Sequence, residues 1–354
     1  MPQPFCKLAN PSSYRACNWN LSIDPIGRRY WVDLFKRHFE TILTQGTSAA
    51  IVRGGQQSTV MAKADQARQN LHGQLDRFSA DPASYDPVTI LTLDFWRDQC
   101  LREAGFRDAF IDLKNRENGL SLPLLPTVCR QLDALEGDEQ FQAIIEGVFA
   151  GNIFDMGSEA TAKAYLHDSP DFFATRQRIK PRPWLIDDYD ALADRLLCDP
   201  HHRKAVFFID NAGSDFILGA VPMMRWLAQR GTHVVLAANE RPTLNDMTVH
   251  DVRDWWPRIL AAEPSLAGLS IEIISTGTGE PLIDLSQVSK ELNDASANAD
   301  LVILEGMGRG VESNLDARFS CDALNIAMLK DVAVAGRLGG GLYDVVCRFK
   351  PGMG

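Results

Sequence analysis

The chain has 354 residues, of which 45% are apolar and 23% charged, and a formal net charge of −10. That length suits one large domain or two ordinary ones with the composition of a water-soluble protein. The acidic balance argues against a nucleic-acid or anionic-membrane surface, because both need a basic field.

No apolar run reaches the roughly 20 residues of a membrane span, and the opening MPQPFCKLANPSSYRAC lacks the apolar core of a secretory signal. The seven cysteines (Cys6, Cys17, Cys100, Cys129, Cys198, Cys321 and Cys347) are odd in number and widely spaced, with no C-x-x-C pair. They read as thiols of a reducing compartment, so a cytoplasmic location is expected.

In chain order, residues 1–20 form an irregular lead-in rich in Pro, Ser and Asn. Helical spacing follows in WVDLFKRHFETIL, from Trp31 to Leu43, and more weakly across 48–78. Further helices are expected over 91–104, 122–136 and 138–149, punctuated by Pro82, Pro87, Pro123 and Pro126. GNIFDMG then sets Asn152 and Asp155 between glycines, where turn formation and capping are the simplest use for them. KPRPWLIDD, 180–188, reads as an extended linker. Residues 1–200 are thus expected to form a mainly α-helical N-terminal part.

From Arg203 the pattern changes. Strands are expected at 205–209, 233–238, 270–275, 300–304 and 343–349, and helices at 215–230, 247–262, 286–297 and 321–336. This alternation gives 201–354 as an α/β part, a parallel sheet covered by helices on both faces. Pro222 either kinks the first of those helices or marks a later start.

The chemistry gathers where strands end. In an open parallel sheet, ligands bind in the crevice beyond the carboxyl ends of the strands. Asp210, Asn211, Asn239 and Asp246 all fall there, and Gly213 permits a sharp bend after the first pair. Two carboxylates and one or two amides are oxygen ligands for a hard divalent cation. Asp246 has a simpler use as the N-cap of a helix starting at Met247. The fourth strand runs into EGMGRG: Glu305 is a further carboxylate, the glycines from Gly306 on let backbone N–H groups approach an anion, and Arg309 can fork onto phosphate. Lys330 follows ALNIAML, read as an apolar helix, and either serves the helix dipole or reaches a phosphate.

Other sites are disfavoured. A dinucleotide fingerprint needs glycine at Val311, and a haloacid-dehalogenase pair needs an acid at Ala212. A methyltransferase, with Glu240 as the acid after its second strand, is weakened by Asn211 in the first turn and leaves Asp246 and Glu305 without a use.

FIDNAGSDFILGAVP, VVLAANERPTLNDMT, LVILEGMGRGVESNL and GLYDVVCRF, with CLREAGFRD, FAGNIFDMG and PRPWLIDD upstream, resemble the blocks of the damage-control phosphatases, also called domain of unknown function 89. EGMGR marks that family's second subfamily, and the chain resembles its stand-alone form. The resemblance implies a helical part on a Rossmann-like sheet, with Asp210, Asn211 and Asp246 as metal ligands. It also implies a divalent cation (manganese, magnesium, nickel or cobalt) and hydrolysis of small phosphomonoesters. 4′-Phosphopantetheine and its oxidised or sulfonated forms, metabolites of the coenzyme A route, are the implied substrates.

On that basis Asp210, Asp246, Glu305, Arg309 and Lys330 are expected to be catalytic. Asn152, Asp155, Asn239, Gly306, Arg309 and Lys330 are expected to bind substrate or phosphate. The expected partner is a small phosphorylated metabolite, without nucleic acid or membrane, and oligomeric state is not legible. The rival readings are an S-adenosylmethionine-dependent carboxyl methyltransferase, since the family's third subfamily has been linked to that activity, and a non-catalytic module that binds a metal and a phosphometabolite.

Overall fold

The computed structural model describes residues 2–153, 172–198 and 201–353. Its organising element is a seven-stranded sheet: β1 (Ile186–Asp187), β2 (Lys204–Phe208), β3 (His233–Ala238), β4 (Ile271–Ser275), β5 (Leu301–Glu305), β6 (Asp322–Met328) and β7 (Val345–Lys350), in the order β1-β7-β6-β5-β2-β3-β4. Every neighbouring pair is parallel except β6 and β7. The Rossmann-like reading therefore holds, with one antiparallel exception. The strand order runs one way from β2 to β3 and β4, then returns to the other side of β2 for β5 and β6. β2 and β5 thus flank the point where the order reverses, which is where such sheets bind ligands.

The central strands form because their residues are apolar on both faces. Val206, Phe207 and Phe208 of β2 and Leu301 to Leu304 of β5 are fully buried, as expected for parallel strands covered on both sides. The same property hid β6. Ala323, Leu324, Ile326, Ala327 and Met328 are all buried, and a continuous apolar run does not distinguish a covered strand from a buried helix. The expected helix at 321–336 is therefore a strand followed by a short helix, Val332–Arg337.

The other corrections are smaller. KPRPWLIDD is no linker, since its Ile186 and Asp187 pair with Val346 and Cys347 of β7. The expected helix at 286–297 shortens to Lys290–Ser296. Pro222 neither starts a helix nor ends one: it lies in the first turn of Val221–Gln229, which continues directly from the turn before it, so its missing N–H falls where that turn departs from α-helical bonding. The turn before it, Asp215–Ala220, is π-helical, and a second π-helical turn, Met307–Glu312, follows β5. Such turns are rare and concentrate at functional sites. Here they leave the two strands that flank the switch point.

The upstream residues are helical as expected: Pro25–Val52, Gln57–Ala80, Ile90–Glu103, Leu125–Asp133 and Gly137–Asn152, with Ile111–Ser121 added. They cover the sheet in two ways. Phe141, Ile145, Val148 and Phe149 of the Gly137–Asn152 helix share a core with Phe207, Ile303 and Leu324 of the sheet. Trp31, Phe35 and Phe39 of the long first helix cluster with Leu282, Val311 and Leu329 over the crevice end. The irregular lead-in also packs against the sheet, where Phe5 is fully buried and meets the Phe208 ring edge-on at 5.5 Å.

All seven cysteines are free thiols. No helix among the described residues is long and apolar enough to cross a membrane.

Candidate active site

β2 stops at Phe208, and the chain turns sharply through Asp210 and Asn211 into Gly213, whose φ of +80° is one a side chain would resist. The Gly213 N–H donates to Asn118 Oδ1 at 2.6 Å, so the Ile111–Ser121 helix pins the bend. The loop after β3 folds back onto it. Asn211 and Asp246 form an isolated antiparallel bridge, and the Ala212 N–H donates to the Asn245 carbonyl at 2.9 Å. The N-cap of helix Val249–Ala262 is Thr248, in a capping box with Asp251. Asp246 therefore does not cap that helix.

Four buried carboxylates meet here: Asp210, Asp215, Asp246 and Glu305. Arg309, 1% exposed, lies across two of them, with Nη1 on Asp210 Oδ1 and Nη2 on Asp246 Oδ2 at 2.6 Å. Asn152, at the end of its helix, points its amide into the others, and Nδ2 lies 2.8 Å from Asp215 Oδ2 and 3.2 Å from both Asp210 Oδ2 and Glu305 Oε1. Glu305 Oε2 accepts the Asp210 N–H at 2.8 Å, and Asn211 Nδ2 donates to Asp210 Oδ2 at 2.8 Å. Asn239 Nδ2 reaches Asp246 Oδ2 at 3.2 Å. Lys330, just beyond the end of β6, donates from Nζ to the Asn152 carbonyl at 2.8 Å. Because β6 is a strand, Lys330 arrives at the same sheet edge as the acids rather than at a distant helix end.

Nearly all the expected residues thus come together: Asn152, Asp210, Asn211, Asn239, Asp246, Glu305, Arg309 and Lys330. Asp155 lies outside the described residues. Gly306 enters differently from the expectation. Its N–H is bonded to the Ile326 carbonyl at 3.0 Å in the sheet edge, so it has none to offer an anion. Its contribution is space. With φ +95° it packs under Asp210, and a β-carbon there would come within 2.7 Å of Asp210 Cβ and closer still to the carboxylate.

The electrostatics are those of acids held together out of water. Burial pushes the Asp210 carboxyl up to about 8 against the pull of Arg309, with the Asp246 charge adding to the rise. Burial, then the charges of Asp215 and Asp210, raise Glu305 well above the usual carboxylate range. Four carboxylates face two cationic groups, Arg309 and Lys330, which leaves two formal negative charges (4 − 2) among these buried residues. Asp210, Asp215 and Glu305 each offer an oxygen within 4.8 Å of the others, and Asp215 Oδ1 and Asn239 Oδ1 have no hydrogen-bond partner among the described residues. An all-oxygen donor set and orphaned oxygens suit a hard divalent cation.

The site opens into a cavity of about 350 Å³ lined by Asp210, Asn211, Asp246 and Lys330 and by Trp31, Leu34 and Phe35 of the first helix. Sequence reasoning missed three contributors. Asp215 lay inside a presumed ordinary helix. Asp94 and Arg97 carried no motif, yet both are buried and line the cavity. Arg97 is held by Asp94 Oδ1 at 2.6 Å, Asp98 Oδ1 at 2.8 Å and Thr243 Oγ1 at 3.0 Å. Burial, opposed by Arg97, moves the Asp94 carboxyl up to about 7.

Residues 36–346 match the model of the damage-control phosphatase ARMT1-like domain. The chain belongs to this family. It is 39% identical to a damage-control phosphatase of Arabidopsis thaliana, over 98% of this chain and 96% of that one. It is 31% identical to a 4′-phosphopantetheine phosphatase of Mus musculus, over 97% of this chain but only 48% of the mouse protein, so it spans about half of that relative. In three dimensions it is similar to a crystal structure of a DUF89 family protein from Pyrococcus horikoshii, with TM-score 0.65 and 19% identity over 90% of this chain and 96% of that one. That last likeness bears on the fold alone.

Proposed function

We propose that this family member is a metal-dependent phosphatase of small phosphomonoester metabolites, acting on 4′-phosphopantetheine and its oxidised or sulfonated forms. The observation that carries the reading is the group of four buried carboxylates with Arg309 and Lys330 at the sheet's switch point, of which Asp210, Asp246 and Lys330 line one cavity. 4′-Phosphopantetheine is the substrate in the name of the mouse relative, and its oxidised and sulfonated forms are those that the resemblance of the sequence blocks implies.

Asp210, Asn211 and Asp246 would hold the cation, with Asp215, Glu305 and Asn239 behind them. When bound, a divalent cation supplies Lewis acidity to the phosphoryl oxygens and orients the attacking group. The chain's own residues do the rest. Arg309 would offer its fork to phosphoryl oxygens only on leaving the two carboxylates its terminal nitrogens now hold, and Lys330 adds a second positive charge beside the cavity. Both stabilise charge on the transferring group. Asn152 keeps Asp210, Asp215 and Glu305 in fixed register through its single amide group.

In the overall reaction, water adds to phosphorus, the P–O bond to the alcohol breaks, and alcohol and inorganic phosphate leave. Phosphate release from p-nitrophenyl phosphate and 4′-phosphopantetheine, with manganese, magnesium, nickel or cobalt added singly, tests the reading. Release with at least one metal and none in EDTA is expected. No release with any of them overturns it.

A further inference from the structure

We propose that Glu312 is the general acid of the reaction: it meets the ester oxygen of the alcohol and hands it a proton as the P–O bond breaks. The inference rests on the phosphatase reading for the bond that breaks, and on a residue which that reading leaves unused. Five acids line the cavity: Asp94, Asp210, Asp246, Glu312 and Asp331. Four are committed. Asp210 and Asp246 hold Arg309, and as cation ligands both act ionised. Asp94 gives Oδ1 to Arg97, and its Oδ2 is sealed from the cavity. Asp331 Oδ2 accepts from the Tyr30 hydroxyl at 2.6 Å, and its Oδ1 accepts from the Ala333 and Val334 N–H groups. Glu312 makes no hydrogen bond or ion pair with the described residues. It is half-buried, so its carboxyl stays within reach of a molecule in the cavity.

The backbone fixes where this residue sits. Glu312 closes the π-helical turn Met307–Glu312, which also carries Arg309. The Gly310 N–H donates to the Gly306 carbonyl at 2.8 Å, the Ser313 N–H to the Gly308 carbonyl at 3.1 Å, and Asn314 Nδ2 to the Arg309 carbonyl at 3.0 Å. Both ends of the turn are thus tied. Glu312 also lines a second, smaller hollow of about 110 Å³, which it shares with Trp19 and the exposed Arg15, Asp316 and Arg337. A polar hollow of that size holds a few waters, a route by which a proton returns from solvent. The state of the acid agrees. Burial raises Glu312 well above the usual carboxylate range, the charges of Asp331, Asp94 and Asp210 add to the rise, and Lys330 opposes it. A carboxyl so placed keeps its proton near neutral pH and can donate it.

The step balances. The electron pair of the breaking P–O bond stays on the alcohol oxygen, which takes the Glu312 proton and leaves as the alcohol. The water that adds to phosphorus leaves one proton on the phosphate and releases the other, and Glu312 is reprotonated from solvent.

An alkoxide leaves badly without a proton, whereas the p-nitrophenolate ion leaves unaided. The test therefore compares kcat/KM for 4′-phosphopantetheine and p-nitrophenyl phosphate, each with the cation that supports release. Glu312→Gln, which keeps the shape but has no carboxyl proton, should lose about 10²-fold more on the alkyl ester than on the aryl ester. Equal losses on both, or no loss on either, overturn the proposal, because a residue that only shapes the site treats the two alike. Melting curves identify a variant that fails to fold, and Glu312→Ala, read by the same ratio, then replaces it. If neither variant folds, the wild type decides: an aryl preference below about 10²-fold upholds the proton donor, and a larger one overturns it. Should the wild type hydrolyse neither ester, the phosphatase reading fails and takes this inference with it. Equal losses in an active enzyme strike this inference alone.

Discussion

The Asp210 carboxylate occupies the space that Gly306 leaves by having no β-carbon. Asp210 lies just past the end of β2 and Gly306 just past the end of β5, so the contact ties together the ends of the two strands that flank the switch point. Gly306→Ala must therefore displace Asp210 as well as strain a backbone at φ +95°. A displacement near 1 Å at a reacting centre costs about 10²-fold in rate. Phosphate release should drop by about that factor while circular dichroism stays that of the wild type. Full activity in this variant would mean that the position of Asp210 is not critical.

Arg309 is in salt-bridge contact with both Asp210 and Asp246. Removing one partner of a buried charge set leaves the others uncompensated, a loss of about 3–5 kcal/mol. Arg309→Ala should melt well below the wild type without metal and recover much of the difference when manganese is added, because a cation can take over the compensation. Arg309→Lys keeps the charge but not the fork, so it should retain more stability than activity. Melting temperatures with and without metal check both statements. Equal metal-induced shifts in wild type and Arg309→Ala would break the link between the guanidinium and the cation site.

Much of this site was legible. Asp210, Asn211, Asn239 and Asp246 could be placed because short apolar runs ending in oxygen-bearing side chains mark strand termini, and the sheet edge did the rest. Lys330 and Gly306 were found for reasons the structure replaces. Lys330 was attached to a helix because ALNIAML is apolar without a period, and Gly306 was assigned an amide that the sheet had already used. Asp94, Trp31 and Asp215 stayed invisible as site residues for a plainer reason. They reach the cavity or the acids through long-range packing and a π-helical turn, neither of which leaves a mark in local spacing.

Far from the site, His202 and Asp322 give a pH dependence that can be isolated. His202 Nε2 lies 2.8 Å from Asp322 Oδ2, while its Nδ1 has no partner among the described residues. Burial holds its pKa below 6.5 despite the Asp322 contact. The unfolded chain then binds a proton that the folded chain does not, so stability is full above 6.5 and declines as pH falls toward the lower folded value. Asp322 acts in the same direction lower down. Its burial is outweighed by the Gly352 N–H and the His202 ring, so its stability is lost as pH falls below 3.8. Urea denaturation at pH 7 and pH 5.5 should show a larger drop for wild type than for His202→Gln. Identical drops would remove His202 from the account.

The central claim is that the acids at the switch point hold a cation on which phosphate release depends. Phosphate released from 4′-phosphopantetheine is therefore to be measured for wild type and Asp246→Ala, each in manganese and in EDTA. The account predicts release by wild type in manganese alone, with Asp246→Ala at least about 10²-fold slower. Release that persists in EDTA, or that survives in Asp246→Ala, would contradict it.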